Sequence, residues 1–278
     1  MKIYRTESSA IVLSEKKCYV LEKEDWDQLI NRNGLHSHLQ SIIAKLSPAG
    51  NESILETFEM KAPIKSQEIW AAGVTYLKSK TARMEESEAT GGAVFYDKVY
   101  AAERPELFFK ANAYRTVGHR DQVNIRKDSV WDVPEPELTL FINSFGNIAG
   151  YSIGNDMSSR SIEGENPLYL PQAKCYDRSA ALGPCIYVPE NPIPSNTGIC
   201  MKILRDQKLL FEGNTQISQM KRSHTELAGF LLRECSFPSG VFLMTGTCIV
   251  PGDDITLKPR DEIRIAIDHI GELINFVA

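Results

Sequence analysis

A chain of 278 residues, 42% apolar and 24% charged, has enough apolar material for a sizeable core and the profile of a globular protein. Its net charge of −5 and pI near 5.7 leave no basic footprint. That argues against a nucleic-acid binder and requires a local positive feature if an anionic small molecule is to bind. No run approaches the roughly 18 apolar residues of a membrane span, and MKIYRTESSAIVL lacks the apolar core of a signal peptide, so a cytoplasmic protein is expected. Six cysteines are scattered without a CxxC pair, which suggests reduced, packed thiols and gives no zinc site.

Residues Met1 to Leu21 predict two short strands around the Ser14-Glu15-Lys16 turn, and Glu24 to Leu46 predicts a helical region broken at Asn33-Gly34. A polar stretch with Pro48, Gly50 and Pro63 follows, so residues 1–65 read as a small N-terminal α/β domain and 66–278 as the catalytic one. The second part predicts many short strands: Glu68 to Ala72, Leu107 to Lys110, Gln122 to Ile125, Leu138 to Asn143, Ile148 to Gly154 and Pro184 to Val188. A hairpin, Cys200 to Arg205 and Gln207 to Glu212, turns at Asp206, and Ser218 to Cys235 is an amphipathic helix. The end is strand: Val241 to Met244, Ile255 to Lys258, Glu262 to Asp268 and Leu273 to Val277. In EIRIAID, Ile263, Ile265 and Ile267 alternate with polar or small residues, the period of a half-buried strand. The fold class expected is α+β, mainly β: a mixed β-roll or barrel with the small domain in front.

The chemistry-bearing stretch is VPEPEL, Val133 to Leu138. On a strand Glu135 and Glu137, at i and i+2, point the same way, and two ionised carboxylates in a partly buried place repel unless a cation lies between them. Pro134 and Pro136 lack amide donors and belong at a strand start or edge. Asp156 ends the run that should return alongside, and three oxygen ligands favour Mg²⁺, Mn²⁺ or Ca²⁺ over zinc. The same spacing also fits an exposed edge whose charges are solvated.

The motifs VPEPEL, GYSIGNDMSSRSIEGENPLYLPQAKCYDRSAALGP and LMTGT resemble the fumarylacetoacetate hydrolase superfamily over roughly residues 66–278. Within it, EGENPLYLPQAK, AAGVTY and ERPELFFKA look like the 2-keto-3-deoxy-D-arabinonate dehydratase branch. The resemblance implies the mixed β-roll of that superfamily, a divalent metal on Glu135, Glu137 and Asp156 with Mg²⁺ first, and Glu106 and Lys174 as the acid/base pair. It also implies a homo-oligomer, a tetramer or dimer. The function implied is metal-dependent, enolate-type elimination of water from a 2-keto-3-deoxy-pentonate to give 2,5-dioxopentanoate. Alternatives on the same platform are C–C hydrolysis of a 2,4-diketo acid, or decarboxylation or isomerisation. No His lies between Tyr76 and Glu106 to build the water-activating dyad of the C–C hydrolases, which tilts the reading to elimination. A catalytically silent 2-oxo-acid binder is the non-enzymatic alternative, and the acid/base pair argues against it.

Which of Glu106 and Lys174 is acid and which base stays open, as does a Schiff base on Lys174. Tyr76, Tyr169 and Thr247 are candidate substrate contacts, each also readable as a packing or turn residue. Arg160 either balances the acidic site or makes a structural ion pair, and Asp177 either orients Lys174 or caps a turn. The pair His36 and His38 reads as solvated, not as ligands. The loop Lys78 to Gly92, with its acidic run and Gly91-Gly92, is a candidate lid.

Overall fold

The computed structural model describes residues 1–78, 81, 84 and 93–278. The chain opens with three strands where two were expected, β1 (Lys2–Arg5), β2 (Ser9–Ser14) and β3 (Lys17–Glu22). The extra break falls at Thr6, whose hydroxyl donates to the Ser9 carbonyl at 2.9 Å and closes a turn. Glu15 and Lys16 take φ of 49° and 63°, the consecutive left-handed pair that a tight two-residue hairpin requires. Helices Trp26–Ile30 and Leu35–Ile43 follow, separated at Gly34 (φ 63°) as expected. Then come β4 (Gly50–Asn51), a 3₁₀ turn at Glu52–Thr57 and β5 (Glu68–Gly73).

After the helix Ala93–Ala101 the chain forms β6 (Glu106–Asn112), β7 (Thr116–Val117), β8 (Gln122–Val123), β9 (Asp132–Val133), β10 (Pro136–Ile142), β11 (Ile148–Asp156) and β12 (Ser158–Ser159). Short helices Arg160–Glu165 and Leu170–Lys174 lead to β13 (Ala180–Tyr187), β14 (Gly198–Arg205) and β15 (Lys208–Gln216). The helix His224–Leu231, β16 (Val241–Met244), β17 (Glu262–Ile267) and β18 (Gly271–Val277) complete it.

Two expectations need correction. The helix expected over Ser218 to Cys235 is only His224–Leu231, because Ser223 accepts the Glu226 amide and starts it late, while Ile217–Gln219 is a separate 3₁₀ turn. Ile255 to Lys258 is not a strand. Thr256 accepts the Asp132 amide through its side chain at 3.0 Å, and Pro259 follows, so no ladder propagates.

A large mixed sheet runs in the order β4-β3-β2-β1-β13-β11-β10-β16-β5-β6, with β7 attached to β13, and a second sheet runs β15-β14-β17-β18-β8. Both are open, so the rolled alternative holds and the closed barrel does not. Residues 1–65 contribute β1 to β4 to the large sheet through antiparallel pairing of β1 with β13. On β10, Leu138, Leu140 and Ile142 pack toward the small sheet with Ile263, Ile265 and Ile267. Phe141 packs on the other face with Trp26, Leu29 and Leu39 of the N-terminal helices. The large sheet is thus the middle of three layers.

It is also strongly curled. β6 and β11 lie four strand steps apart along the sheet, which would be about 19 Å if flat. Yet Lys110 of β6 reaches Asp156 at the end of β11 at 2.5 Å. The roll brings the ends of β11, β10, β16, β5 and β6 around one point. Apart from Lys78, Thr81 and Met84, the candidate lid loop Lys78 to Gly92 lies outside the described residues.

Candidate active site

Glu135, Glu137 and Asp156 meet at that point. Pro136 starts β10, as the missing amides predict, and Glu135, just before it, and Glu137, its second residue, project to the same side. The Asp156 amide donates to the Glu135 carbonyl at 2.9 Å, which fixes the third acid beside the first. All three are buried, and each offers a carboxylate oxygen within 4.8 Å of the other two.

The two oxygens of each carboxylate are treated differently. Arg160 Nη2 holds Glu135 Oε1 at 2.6 Å, Lys110 Nζ holds Asp156 Oδ1 at 2.5 Å, and the Gly246 amide donates to Glu137 Oε2 at 2.6 Å. The opposite oxygens, Glu135 Oε2 and Asp156 Oδ2, both accept from Lys174 Nζ, at 2.6 and 3.1 Å. Arg160, Lys110 and the Gly246 amide thus hold one oxygen of each acid, and Lys174 meets the second oxygen of Glu135 and of Asp156 at the centre. Gly246 can do this only as glycine: its φ is +90°, and a Cβ would run into the Thr75 hydroxyl and the Ala72 carbonyl.

Charge explains why the cluster calls for a cation. Among the described residues Glu137 makes no salt bridge, and its pKa is pushed well up, first by burial and then by the charges of Asp156 and Glu135. Three monodentate, oxygen-only, buried ligands fit a hard divalent ion with about three further positions for water or ligand. Glu135, Glu137 and Asp156 would hold it.

Lys174 ends the helix Leu170–Lys174 and is fully buried. Its three N–H bonds meet Glu135, Asp156 and the Ser158 hydroxyl, the last at 2.6 Å, the arrangement of an ammonium donating to three oxygens. Glu106 opens β6 directly opposite Gly73 of β5. A Cβ at Gly73 would collide with the Glu106 carboxylate, so the glycine makes the seat in which that carboxylate lies. Gly73, Val74, Phe108, Gly246 and Thr247 wall the small cavity over the carboxylates. One residue beyond Thr247 begins a larger cavity of ≈ 760 Å³ between Leu77, Trp131, Phe211 and Cys248.

Of the weaker candidates, Thr247 stands in the wall of the small cavity, its hydroxyl accepting the Ile249 amide. Tyr76 is buried nearby, and burial, Cys248 and the charge of Glu137 all push its pKa up. Tyr169 is 40% exposed and outside that wall. Arg160 is buried against Glu135, so it balances the acidic site. Asp177 is exposed and faces Arg115 at 3.6 Å. His38 meets Arg32 in the N-terminal segment. Sequence reasoning missed Lys110 and Ser158; the one available signal was a lysine two residues beyond Phe108 and four beyond Glu106, at the alternation that shares a strand face.

A rolled, mostly antiparallel scaffold that buries three convergent carboxylates among basic side chains defines a class of protein built to hold a hard cation beside a small ligand. The chain belongs to the fumarylacetoacetate hydrolase family: the pattern of the fumarylacetoacetate (FAA) hydrolase C-terminal domain matches residues 69–278. It is 47% identical over 216 residues to a probable 2-keto-3-deoxyxylonate dehydratase of Haloferax volcanii, covering 77% of this chain and 73% of that one. It is 41% identical over 231 residues to the 2-dehydro-3-deoxy-D-arabinonate dehydratase of Saccharolobus solfataricus, covering 81% and 78%. Among solved structures it is similar to a 2-keto-3-deoxyarabinonate dehydratase in a hexagonal crystal form (TM-score 0.86, 35% identity, 100% of this chain and 99% of that one). A 2-keto-3-deoxy-D-arabinonate dehydratase complexed with magnesium and 2,5-dioxopentanoate is similar at TM-score 0.83 and 34% identity, covering 100% and 98%.

Proposed function

We propose that this protein is a metal-dependent hydro-lyase that converts a 2-keto-3-deoxy-pentonate, such as 2-keto-3-deoxy-D-arabinonate, to 2,5-dioxopentanoate. The observation that supports the reading is the meeting of three buried carboxylates, Glu135, Glu137 and Asp156, with the buried ammonium of Lys174 beside them. Relatives 41% and 47% identical are named for dehydrating such acids, and a solved neighbour carries magnesium with the dioxo acid.

Glu135, Glu137 and Asp156 would hold a divalent cation, Mg²⁺ first, which would supply Lewis acidity to the 2-oxo group and lower the cost of removing a C3 proton. The residues divide the proton work. Glu106, whose carboxylate lies against Gly73, takes the C3 proton. Lys174, with an ammonium already donating to three oxygens, protonates the departing C4 hydroxyl. One water leaves, and tautomerisation through the C5 hydroxyl gives the aldehyde. Lys174 acts as an acid here, so no imine to substrate is needed. Thr247 and Tyr76 contact the substrate chain, and Tyr169 takes a minor part from outside the small cavity. Residues 1–65 cap the catalytic portion, 66–278, and their helices over one sheet face support that role. A cytoplasmic homo-oligomer, tetramer or dimer, completes the reading; among the described residues no helix is long and apolar enough to cross a membrane.

The test is incubation of the purified protein with 2-keto-3-deoxypentonate, with Mg²⁺ or with chelator, followed by mass spectrometry. Metal-dependent loss of water to 2,5-dioxopentanoate is expected. Release of pyruvate without the dioxo acid, or cleavage of a 2,4-diketo acid in its place, would overturn the dehydratase.

A further inference from the structure

Lys110 is a fully buried cation that neither the ligand set nor the acid/base pair requires. Its ammonium meets three oxygens: Asp156 Oδ1 at 2.5 Å, the Met157 carbonyl at 2.9 Å and the Lys174 carbonyl at 2.5 Å. Two of these partners belong to the end of β11 and the residue after it, the third to the end of the helix that carries Lys174. Lys110 itself comes from β6, the edge of the large sheet four strand steps away. It sits at a β-bulge, since Trp70 pairs with Phe109 but Ile69 with Ala111. Bulges re-aim a side chain, and this one delivers the ammonium across the open side of the roll.

We infer that Lys110 is a positioning residue: it clasps the edge of the roll, turns Asp156 Oδ1 away from the cation site and holds the Lys174 helix at a fixed distance from the metal ligands. Occupying Oδ1 leaves Asp156 only Oδ2 for the centre. Tying the Lys174 carbonyl fixes the root of the side chain that must meet the C4 hydroxyl. Burying an ammonium costs several kcal/mol even after relaxation, and a core that needed only bulk would do as well with an apolar side chain. The inference rests on the proposed roles of Asp156 and Lys174, so the test reads quantities that exist without turnover.

Lys110→Met is compared with the parent by Mn²⁺ titration under electron paramagnetic resonance, by hydrogen exchange of amides 170–175, and by steady-state kinetics. Partners that orient a metal ligand typically change affinity or activity by 10- to 100-fold, so Mn²⁺ affinity is expected to fall by about tenfold or more. Exchange in 170–175 should accelerate, and kcat should fall with KM little changed. A folded Lys110→Met variant with Mn²⁺ affinity within about twofold of the parent and unchanged exchange overturns the inference. Should that variant not fold, Lys110→Arg keeps the buried charge and takes over the test. A guanidinium cannot place one nitrogen within reach of all three oxygens, so parent affinity and turnover in a folded Lys110→Arg would equally overturn it. A parent that binds Mn²⁺ but dehydrates no sugar acid fails the functional reading alone, and affinity and exchange still decide for or against Lys110.

Discussion

Strand β17 buries every second residue and β18 nearly so, whereas β10, held between β11 and β16, buries all of its residues. The small sheet follows the rule of a half-solvated surface: Ile263, Ile265 and Ile267 turn inward while Glu262 and Arg264 stay partly exposed. The large sheet breaks that rule at one end, where Glu135, Glu137, Asp156, Lys110, Lys174 and Arg160 are buried together. Charges so buried need partners, and Lys110, Lys174, Arg160 and the Gly246 amide supply them. The small sheet is therefore scaffold, and the chemistry lies where strands buried on both faces nonetheless carry charge.

The largest effect that would sharpen this contrast is expected at Gly73, in the large sheet. Gly73→Ala adds one carbon where the Glu106 carboxylate lies. Displacing a reacting group by about 1 Å costs on the order of 100-fold, so kcat should fall by about that factor while Mg²⁺ affinity is kept. Shortening the acid in a Gly73→Ala/Glu106→Asp double variant should recover part of the loss. Parent turnover in Gly73→Ala would remove Glu106 from the mechanism.

In the small sheet a deletion of similar size should be felt only as stability. Ile265→Val removes one buried methyl from the shared core and should cost about 0.5–1.5 kcal/mol in urea unfolding. Turnover per folded molecule should stay at the parent value. A kcat that drops with it would mean that the scaffold and the site are not separable in this way.

How much of this was legible in the sequence follows the same division. The alternation of EIRIAID and the acids of VPEPEL both come from a period of two, which survives folding because it is local. Asp156 was legible because an antiparallel return strand places its end beside the start of the first. Lys110 shares a local spacing with Glu106 and Phe108, but its role depends on the bulge it makes opposite Ile69 and Trp70 and on the curl that brings β6 to β11, and that curl is not encoded near it in the chain. The helix His224–Leu231 is shorter than its apolar spacing predicts because that spacing continues past the cap that starts it, and Ile255 to Lys258 has strand propensity without a ladder because a side chain takes the amide a ladder would have used.

The smallest expected effect tests the charge argument itself. Glu137 has its pKa raised above the ordinary 4.5 by burial and by its acidic neighbours, so the folded protein holds that proton more tightly than the unfolded chain does. With chelator present, stability should therefore decline as pH rises above about 4.5, the loss becoming complete once the folded carboxyl has ionised. Lys110 acts in the other direction: burial lowers its pKa, so the folded state binds its proton less well and stability recovers as pH climbs toward the ordinary lysine value of 10.5. Neither melting curve alone isolates Glu137. The difference between paired melts with Mg²⁺ and with chelator does, because the cation favours the ionised carboxylates, and it should widen as pH rises above about 4.5. A difference that stays constant over that range would mean that Glu137 is not the acid whose unpaired charge the cation relieves.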